Sequence, residues 1–141
     1  MRPSARKRAL PPTLLAAVFT IAAAAGAAPL RPALSGEWGA SQIRLALTAT
    51  GGTIDFDCAS ARLDTPVHPD AGGNFTANAR YEAYAPGPTR AADAPPATVP
   101  ARIIGRVDGS TLHLSVRTKG DTAAHDYTLE RGRRVKIIRC L

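Results

Sequence analysis

The sequence predicts a small all-β domain of seven or eight short antiparallel strands, arranged either as an up-and-down barrel or as a sandwich. Three observations support this prediction. Apolar and polar residues alternate with a period of two in most segments that follow residue 35. Gly-Gly, Asp-Gly and Gly-Asp pairs, which are typical of tight turns, separate these segments. No apolar pattern of helical period and useful length occurs in the same part of the chain.

The stretch 35–58 contains the only tryptophan and one of the two cysteines, and it predicts a hairpin. We expect a two-residue turn at Gly51-Gly52, because glycine tolerates the positive φ angles of such turns. That turn would pair Leu47 with Phe56 and keep the apolar side chains of both strands on one face. The residues in this apolar phase are Ile43, Leu45, Leu47, Ile54, Phe56 and Cys58.

The middle of the chain predicts two further strands and one long loop. A short strand is expected around residues 61–63, and a longer one over Asn74 to Tyr84, where apolar residues alternate with polar ones. Residues 85–100 hold five prolines and one bulky apolar side chain, Val99. Because such a segment has little apolar surface to bury, we expect an extended, mobile loop.

Two hairpins with consistent registers follow this loop. A turn at Asp108-Gly109 would pair Ile103 with Leu114. A second turn at Gly120-Asp121 would pair Leu114 with Tyr127, so that the same apolar phase continues through both turns.

A last strand is expected after a short loop at residues 131–133. It would cover residues 135–139 and place Arg139 opposite His125. His125 shares the inward phase, so we expect it to plug one end of the barrel. The candidate ligand-facing residues are therefore Phe56, Tyr127 and His125.

Gly36-Glu37-Trp38 resembles the G-x-W motif that opens the first strand of the calycins, the group of the lipocalins and their bacterial relatives. The resemblance implies an eight-stranded up-and-down barrel in which Trp38 closes one end beneath an arginine from the last strand. Arg139 corresponds to that arginine, since the first and last strands of such a barrel are neighbours. Gly36, Trp38 and Arg139 are thus the expected barrel-closing residues. The alternative is that Trp38 is an ordinary core aromatic and Arg139 an exposed charge.

The chain as a whole resembles small exported bacterial proteins of unassigned function. Residues 1–27 predict a cleaved signal peptide, and 28–141 a single secreted β domain located in the periplasm or outside the cell. The positive n-region consists of Arg2, Arg6, Lys7 and Arg8. An apolar run ending in small residues follows it; the alternative is a retained membrane anchor. After cleavage we expect no stable membrane span.

The net charge of the whole chain overstates the charge of the predicted domain. The leader holds four of the 18 basic residues and none of the 11 acidic ones, which leaves 14 basic residues and a net charge of +3. We therefore predict no nucleic-acid partner. In an exported chain, the two cysteines, Cys58 and Cys140, are expected to form a disulfide.

The sequence offers no constellation for catalysis or metal binding. The phases of His113 and His125 place them on opposite faces, and only a loop could bring His68 to join them. Nucleophile turns, phosphate loops and dinucleotide motifs are absent. We predict no catalytic residues, no cofactor, no metal ligands and no enzyme activity.

Two functions are consistent with such a domain. One is the binding of a small apolar ligand in the barrel interior. The other is interaction with a protein partner in the envelope, for example as an inhibitor, through the Pro-rich loop or the basic C-terminal hairpin. The interior residues expected to contact a small ligand are Leu45, Leu47, Phe56, Ile103, Leu114 and Tyr127.

Export and cleavage can be tested on protein from the producing cell. We expect N-terminal sequencing to begin near Ala28, because the small residues at the end of the apolar run suit signal peptidase. Protein that retains Met1 and fractionates with the membrane would contradict this prediction.

Overall fold

Residues that alternate in polarity also alternate in burial along the strands, and this places one continuous apolar face inside a closed sheet. The computed structural model describes residues 31–84 and 97–140. In this part each strand pairs with the next, and the first pairs with the last. The strands are β1 Gly36–Ala40, β2 Ile43–Thr48, β3 Gly51–Phe56, β4 Ala59–Leu63, β5 Asn74–Ala83, β6 Val99–Asp108, β7 Thr111–Thr118 and β8 His125–Arg131.

The predicted all-β class and the antiparallel up-and-down barrel are confirmed, and the sandwich alternative does not apply. The proposed signal peptide and residues 85–96 of the Pro-rich loop lie outside the described residues. Val99 and Pro100, which we placed in that loop, are the first residues of β6. Pro100 is the second residue of β6, close to the strand's start, and its carbonyl oxygen accepts a hydrogen bond from the Lys119 N–H.

Side chains from all eight strands fill the barrel interior. The phenyl ring of Phe75 on β5 packs directly over Gly105 on β6. A Cβ atom at position 105 would collide with this ring, so glycine is needed there. Each fully buried aliphatic side chain contributes about 1.5 to 3 kcal/mol of transfer free energy. The core includes Trp38, Ile43, Leu45, Leu47, Ile54, Ala61, Leu63, Phe75, Ala77, Ala79, Ala101, Ile103, Leu112, Leu114, Val116 and Leu129.

The register predicted for β2 and β3 is wrong by four residues. Leu45 pairs with Ile54, and the turn lies at Ala49-Thr50 rather than at Gly51-Gly52. Both glycines belong to β3, where added Cβ atoms would meet the Leu63 carbonyl oxygen and, at 2.6 Å, the Ala46 carbonyl oxygen. Glycine is therefore needed at both positions because neighbouring backbone comes close. Since the register is shifted by an even number of residues, the same side chains still face the core.

The register of β6 and β7 shows a smaller shift of the same kind. Ile103 pairs with Val116 instead of Leu114, and the turn lies at Gly109-Ser110. Gly109 adopts a φ of 59°, as this turn requires. The predicted pairing of β7 with β8 is confirmed, with Leu114 opposite Tyr127.

The strand predicted over residues 135–139 is wrong. β8 pairs directly with β1, and this closure leaves no free edge for a ninth strand. Residues 133–140, here called the C-terminal strap, turn back and cross the outside of β1 at Gly39, where a Cβ atom would meet Val135. The strap ends at the β3–β4 turn. There the Cys58 N–H donates to the Ile138 carbonyl oxygen over 3.1 Å, and the predicted Cys58–Cys140 disulfide is present.

Trp38 lies beneath an arginine, but that arginine is Arg131 and not Arg139. The Arg131 guanidinium carbon is 4.8 Å from the centroid of the fully buried indole ring. Its Nη2 donates to the Ser35 carbonyl oxygen over 2.7 Å. A Cβ on Gly36, which has a φ of 124°, would be 2.9 Å from Nη2. Arg139 lies on the strap, because the predicted strand over residues 135–139 does not form.

Replacing Arg131 with alanine should destabilise the barrel far more than replacing Arg139. The Arg131→Ala variant loses the cation–π contact and the hydrogen bond to Ser35, so we expect a loss of about 1 to 3 kcal/mol. The matched Arg139→Ala variant should change stability by about 0.5 kcal/mol or less. Urea unfolding followed by Trp38 fluorescence measures both. Equal losses would contradict the assignment of Arg131.

Candidate functional site

The end of the barrel where β3 ends and β8 begins contains a cavity of about 320 Å³, here called the mouth. It is bordered by the β3–β4 turn, the β7–β8 connection and side chains at this end of the strands. The mouth is lined by Phe56, Asp57, Tyr81, Val116, Thr118, Asp121, His125 and Tyr127.

Three half-buried aromatic rings form the apolar part of the mouth. Phe56 lies between the other two, with ring centroids 5.9 Å from Tyr81 and 5.8 Å from Tyr127. Both pairs are tilted, and their separations are typical of favourable aromatic contacts. Since the rings come from β3, β5 and β8, the closure of the barrel is what brings them together.

Burial raises the pKa of the Tyr127 phenol above its ordinary value of 10.0, and the neighbouring Tyr81 raises it further. The phenol is therefore neutral at physiological pH. It can donate one hydrogen bond and accept others inside an otherwise apolar patch. An aromatic wall with such a polar group favours ligands that have an apolar body and at least one hydrogen-bonding atom.

The rim of the mouth is acidic. The Asp121 carboxylate accepts hydrogen bonds from the hydroxyl and the N–H of Thr118, and these lower the pKa of Asp121 below 3.8. The Asp57 carboxylate accepts a hydrogen bond of 2.9 Å from the Ile138 N–H of the strap. Of the described residues that line the mouth, none is lysine or arginine, although basic residues outnumber acidic ones in the chain.

All three residues predicted to face a ligand line this mouth. His125 pairs with Val116 as expected, but its side chain is exposed at the rim and does not plug the barrel. Arg139 is not opposite it. Sequence reasoning missed Tyr81 as a site residue, although Tyr81 lies in the inward phase of the predicted β5 strand.

The other residues expected to contact a ligand in the interior are packed in the core. Leu45, Leu47, Ile103 and Leu114 are at most 4% exposed. Of the predicted interior set, Phe56 and Tyr127 line the mouth. The space available to a ligand is therefore at the end of the barrel, above a filled core.

A second cavity, of about 570 Å³, lies on the outer wall beside the strap. Its lining includes Arg44, Tyr84, Ile138 and Arg139. Arg44 forms an ion pair of 3.5 Å with Asp55 across β2 and β3. Since charges of both signs and scattered apolar groups line this groove, it has no single ligand chemistry.

The histidines do not meet in the structure. His113 is on the outer wall, with Nδ1 3.4 Å from Thr128 Oγ1, and His68 has Nδ1 2.9 Å from the Arg31 carbonyl oxygen. Among the residues described, no group of three or more His, Cys, Asp or Glu side chains could hold a metal ion.

Comparison with protein-family models, with curated proteins and with solved structures finds no match to this chain. Within residues 31–84 and 97–140 there is no helix with the length and hydropathy needed to span a bilayer. The fold and the mouth define the class of protein: a closed eight-stranded antiparallel barrel with an aromatic cavity at one end.

The raised pKa of Tyr127 predicts an alkaline instability. Because the folded pKa exceeds the ordinary 10.0, the unfolded chain loses this proton first, and the stabilising effect of the neutral phenol is lost as the pH rises above about 10. The Tyr127→Phe variant should therefore show a smaller fall in melting temperature between about pH 9 and about pH 11. Thermal melts followed by circular dichroism measure this, and identical falls in both proteins would contradict the buried position of the phenol.

Proposed function

We propose that this protein is an exported, non-enzymatic binding module that holds a small ligand in the mouth of its barrel. The observation that supports this most directly is the aromatic cluster of Phe56, Tyr81 and Tyr127 around one cavity. Three rings left half-buried at an open end provide apolar surface that a ligand would cover.

The size of the mouth limits the ligand. A volume of about 320 Å³ lies near the lower end of the range of about 300 to 1,000 Å³ that is typical of small-molecule sites. The core below it is filled, with Leu114 only 2% exposed. A compact ligand with one or two rings suits this space better than a long acyl chain.

The charge of the rim favours a cationic group on that ligand. Asp57 and Asp121 are the charged carboxylates of the mouth, and hydrogen bonds from Thr118 favour the ionised form of Asp121. Aromatic faces also attract cations. An apolar amine would place its ring system against Phe56 and its ammonium group at the rim.

Export is part of the proposal. The Cys58–Cys140 disulfide is compatible with an oxidising compartment, where such bonds persist. The charged and apolar leader of the sequence supports the same location.

An interaction with a protein partner is the second candidate. It is favoured by two exposed apolar side chains beside the groove along the strap, Ile138 at 60% and Tyr84 at 41% exposure. The basic residues of the same segment, Arg134 and Lys136, would then attract an acidic partner surface.

A pair of matched probes tests the ligand proposal. Naphthylmethylamine and naphthoate have the same apolar body and opposite charge, and calorimetric titration measures the affinity of each. We expect the amine to bind more tightly. The Tyr81→Ala variant should weaken its binding by about 2- to 10-fold, because an aromatic contact is lost. The control Tyr84→Ala removes a tyrosine outside the mouth and should leave the affinity unchanged.

The role of the rim is tested by Asp121→Asn. This variant keeps an acceptor for Thr118 but removes the charge, so it should weaken binding of the amine and leave or improve binding of naphthoate. Trp38 fluorescence checks that each variant is folded. Equal effects of the Tyr81 and Tyr84 variants, or the absence of binding by both probes at millimolar concentration, would overturn the proposal.

A further inference from the structure

The outer wall of the barrel carries a row of arginines that the registers of β4 to β7 bring together. Arg62 of β4 is directly opposite Arg80 of β5. Arg102 of β6 is directly opposite Arg117 of β7. Arg80 pairs with Pro100, two residues before Arg102, so the two pairs are diagonal neighbours. These four exposed residues, Arg62, Arg80, Arg102 and Arg117, are here called the arginine row.

Like charges placed directly opposite each other on neighbouring strands destabilise a sheet. One carboxylate partly compensates the row: Asp64 is 2.7 Å from Arg80 and 3.6 Å from Arg62. Within the described part of the chain, Arg102 and Arg117 form no close ion pair, although Arg117 is near enough to Asp121 to help lower the pKa of that carboxyl. Arg102 thus has no carboxylate partner of its own and Arg117 has only a distant one, so the repulsion between these two arginines is weakly compensated.

Further groups extend the positive surface on either side of the row. Arg106, two positions beyond Ile104 on β6, is opposite Asn74, and Asn78 is opposite Arg102. The Lys119 N–H donates to the Pro100 carbonyl oxygen, which places this lysine beside the row at the end of β7. The wall therefore offers charged and neutral hydrogen-bond donors together.

We propose that the arginine row is a binding surface for a linear acidic polysaccharide with a carboxylate on each sugar ring. Guanidinium groups bind carboxylates with two parallel hydrogen bonds, which gives both affinity and orientation. Directly opposite arginines are about 5 Å apart at the backbone and the diagonal step from Arg80 to Arg102 is about 7 to 8 Å, so carboxylates on successive sugar rings can reach neighbouring arginines along the row.

The shape of the surface favours a flexible polymer over a membrane. The row crosses four of the eight strands, so it follows about half of the barrel's circumference. A flat bilayer would touch only the crest of this curved wall, whereas a linear polymer can follow it. The outward positions of β5 and β6 carry no aromatic side chain, so bases of single-stranded nucleic acid would have nothing to stack on.

This surface shares no residue with the mouth: the row lies on the outer wall, and its one link to the mouth is the electrostatic attraction between Arg117 and Asp121 at the rim. The ligand proposal and the polysaccharide proposal can therefore fail separately. Neither set of variants described below changes a residue that lines the mouth.

The test uses the oxidised protein and an oligogalacturonate of defined length in calorimetric titrations at several salt concentrations. The variant Arg102→Gln with Arg117→Gln should weaken binding by about tenfold or more, since two charge-assisted contacts are lost. Replacing the same two residues with lysine should weaken it less, because the charge remains and the forked geometry is lost. The control Arg134→Gln with Lys136→Gln removes the same net charge from the strap and should change binding by less than about twofold.

The outcomes separate specific binding from general attraction. Equal weakening by the row variant and the strap control would show that net charge alone attracts the polymer, and would overturn the proposal. Tighter binding of phosphatidylglycerol vesicles or of oligo-dT, lost in the same row variant, would overturn the polysaccharide assignment. Because the glutamine variant relieves the repulsion between Arg102 and Arg117, it should melt at the same or a higher temperature than the native protein, and lower melting would contradict the inference that these two arginines are kept at a cost to the fold.

Discussion

The fold depends on the short pairing between β1 and β8 that closes the barrel. Only two residue pairs are in register there, Trp38 with Arg131 and Gly39 with Glu130, whereas β5 and β6 pair along most of their length. Without this pairing β1 and β8 would be open edges, and the strand that carries Tyr127 would be held by β7 alone. The stacking of Arg131 on the buried indole therefore stabilises a contact that few backbone hydrogen bonds support.

The strap reinforces the same closure from outside. It follows Gly132, whose N–H donates to the Glu37 carbonyl oxygen over 2.8 Å, and it ends at the disulfide. The two cysteines are separated by 82 positions, and closing a loop of that length restricts the unfolded chain by an amount worth about 4 to 5 kcal/mol in the chain-entropy model. For a small core this is a large share of a typical net stability of about 5 to 15 kcal/mol.

The sequence was informative about which face of each strand is buried and less informative about register. Predicted pairings between β2 and β3 and between β6 and β7 were displaced by four and two residues, and both shifts are even, so the buried faces stayed correct. The first error arose because Gly51 and Gly52, which allow close backbone approach, resemble glycines that form turns, and the second because Gly109 is the first and not the second residue of its turn. Because the phase was right, Phe56 and Tyr127 could be predicted to point inward, although not to lie at the mouth. The identity of the arginine above Trp38 depended on which strand closes the barrel, and local patterns do not contain that information.

The disulfide divides the barrel into two parts with different mechanical behaviour. It links the β3–β4 turn to the end of the strap, so β4 to β8 lie within a covalent ring, whereas β1 to β3 precede Cys58 and lie outside it. A tensile force applied between β1 and the strap would peel away the first three strands and leave the ring at its native length. Each freed residue could extend by at most about 3.3 to 3.6 Å. The molecule would therefore lengthen only by the extended length of the segment from β1 to β3.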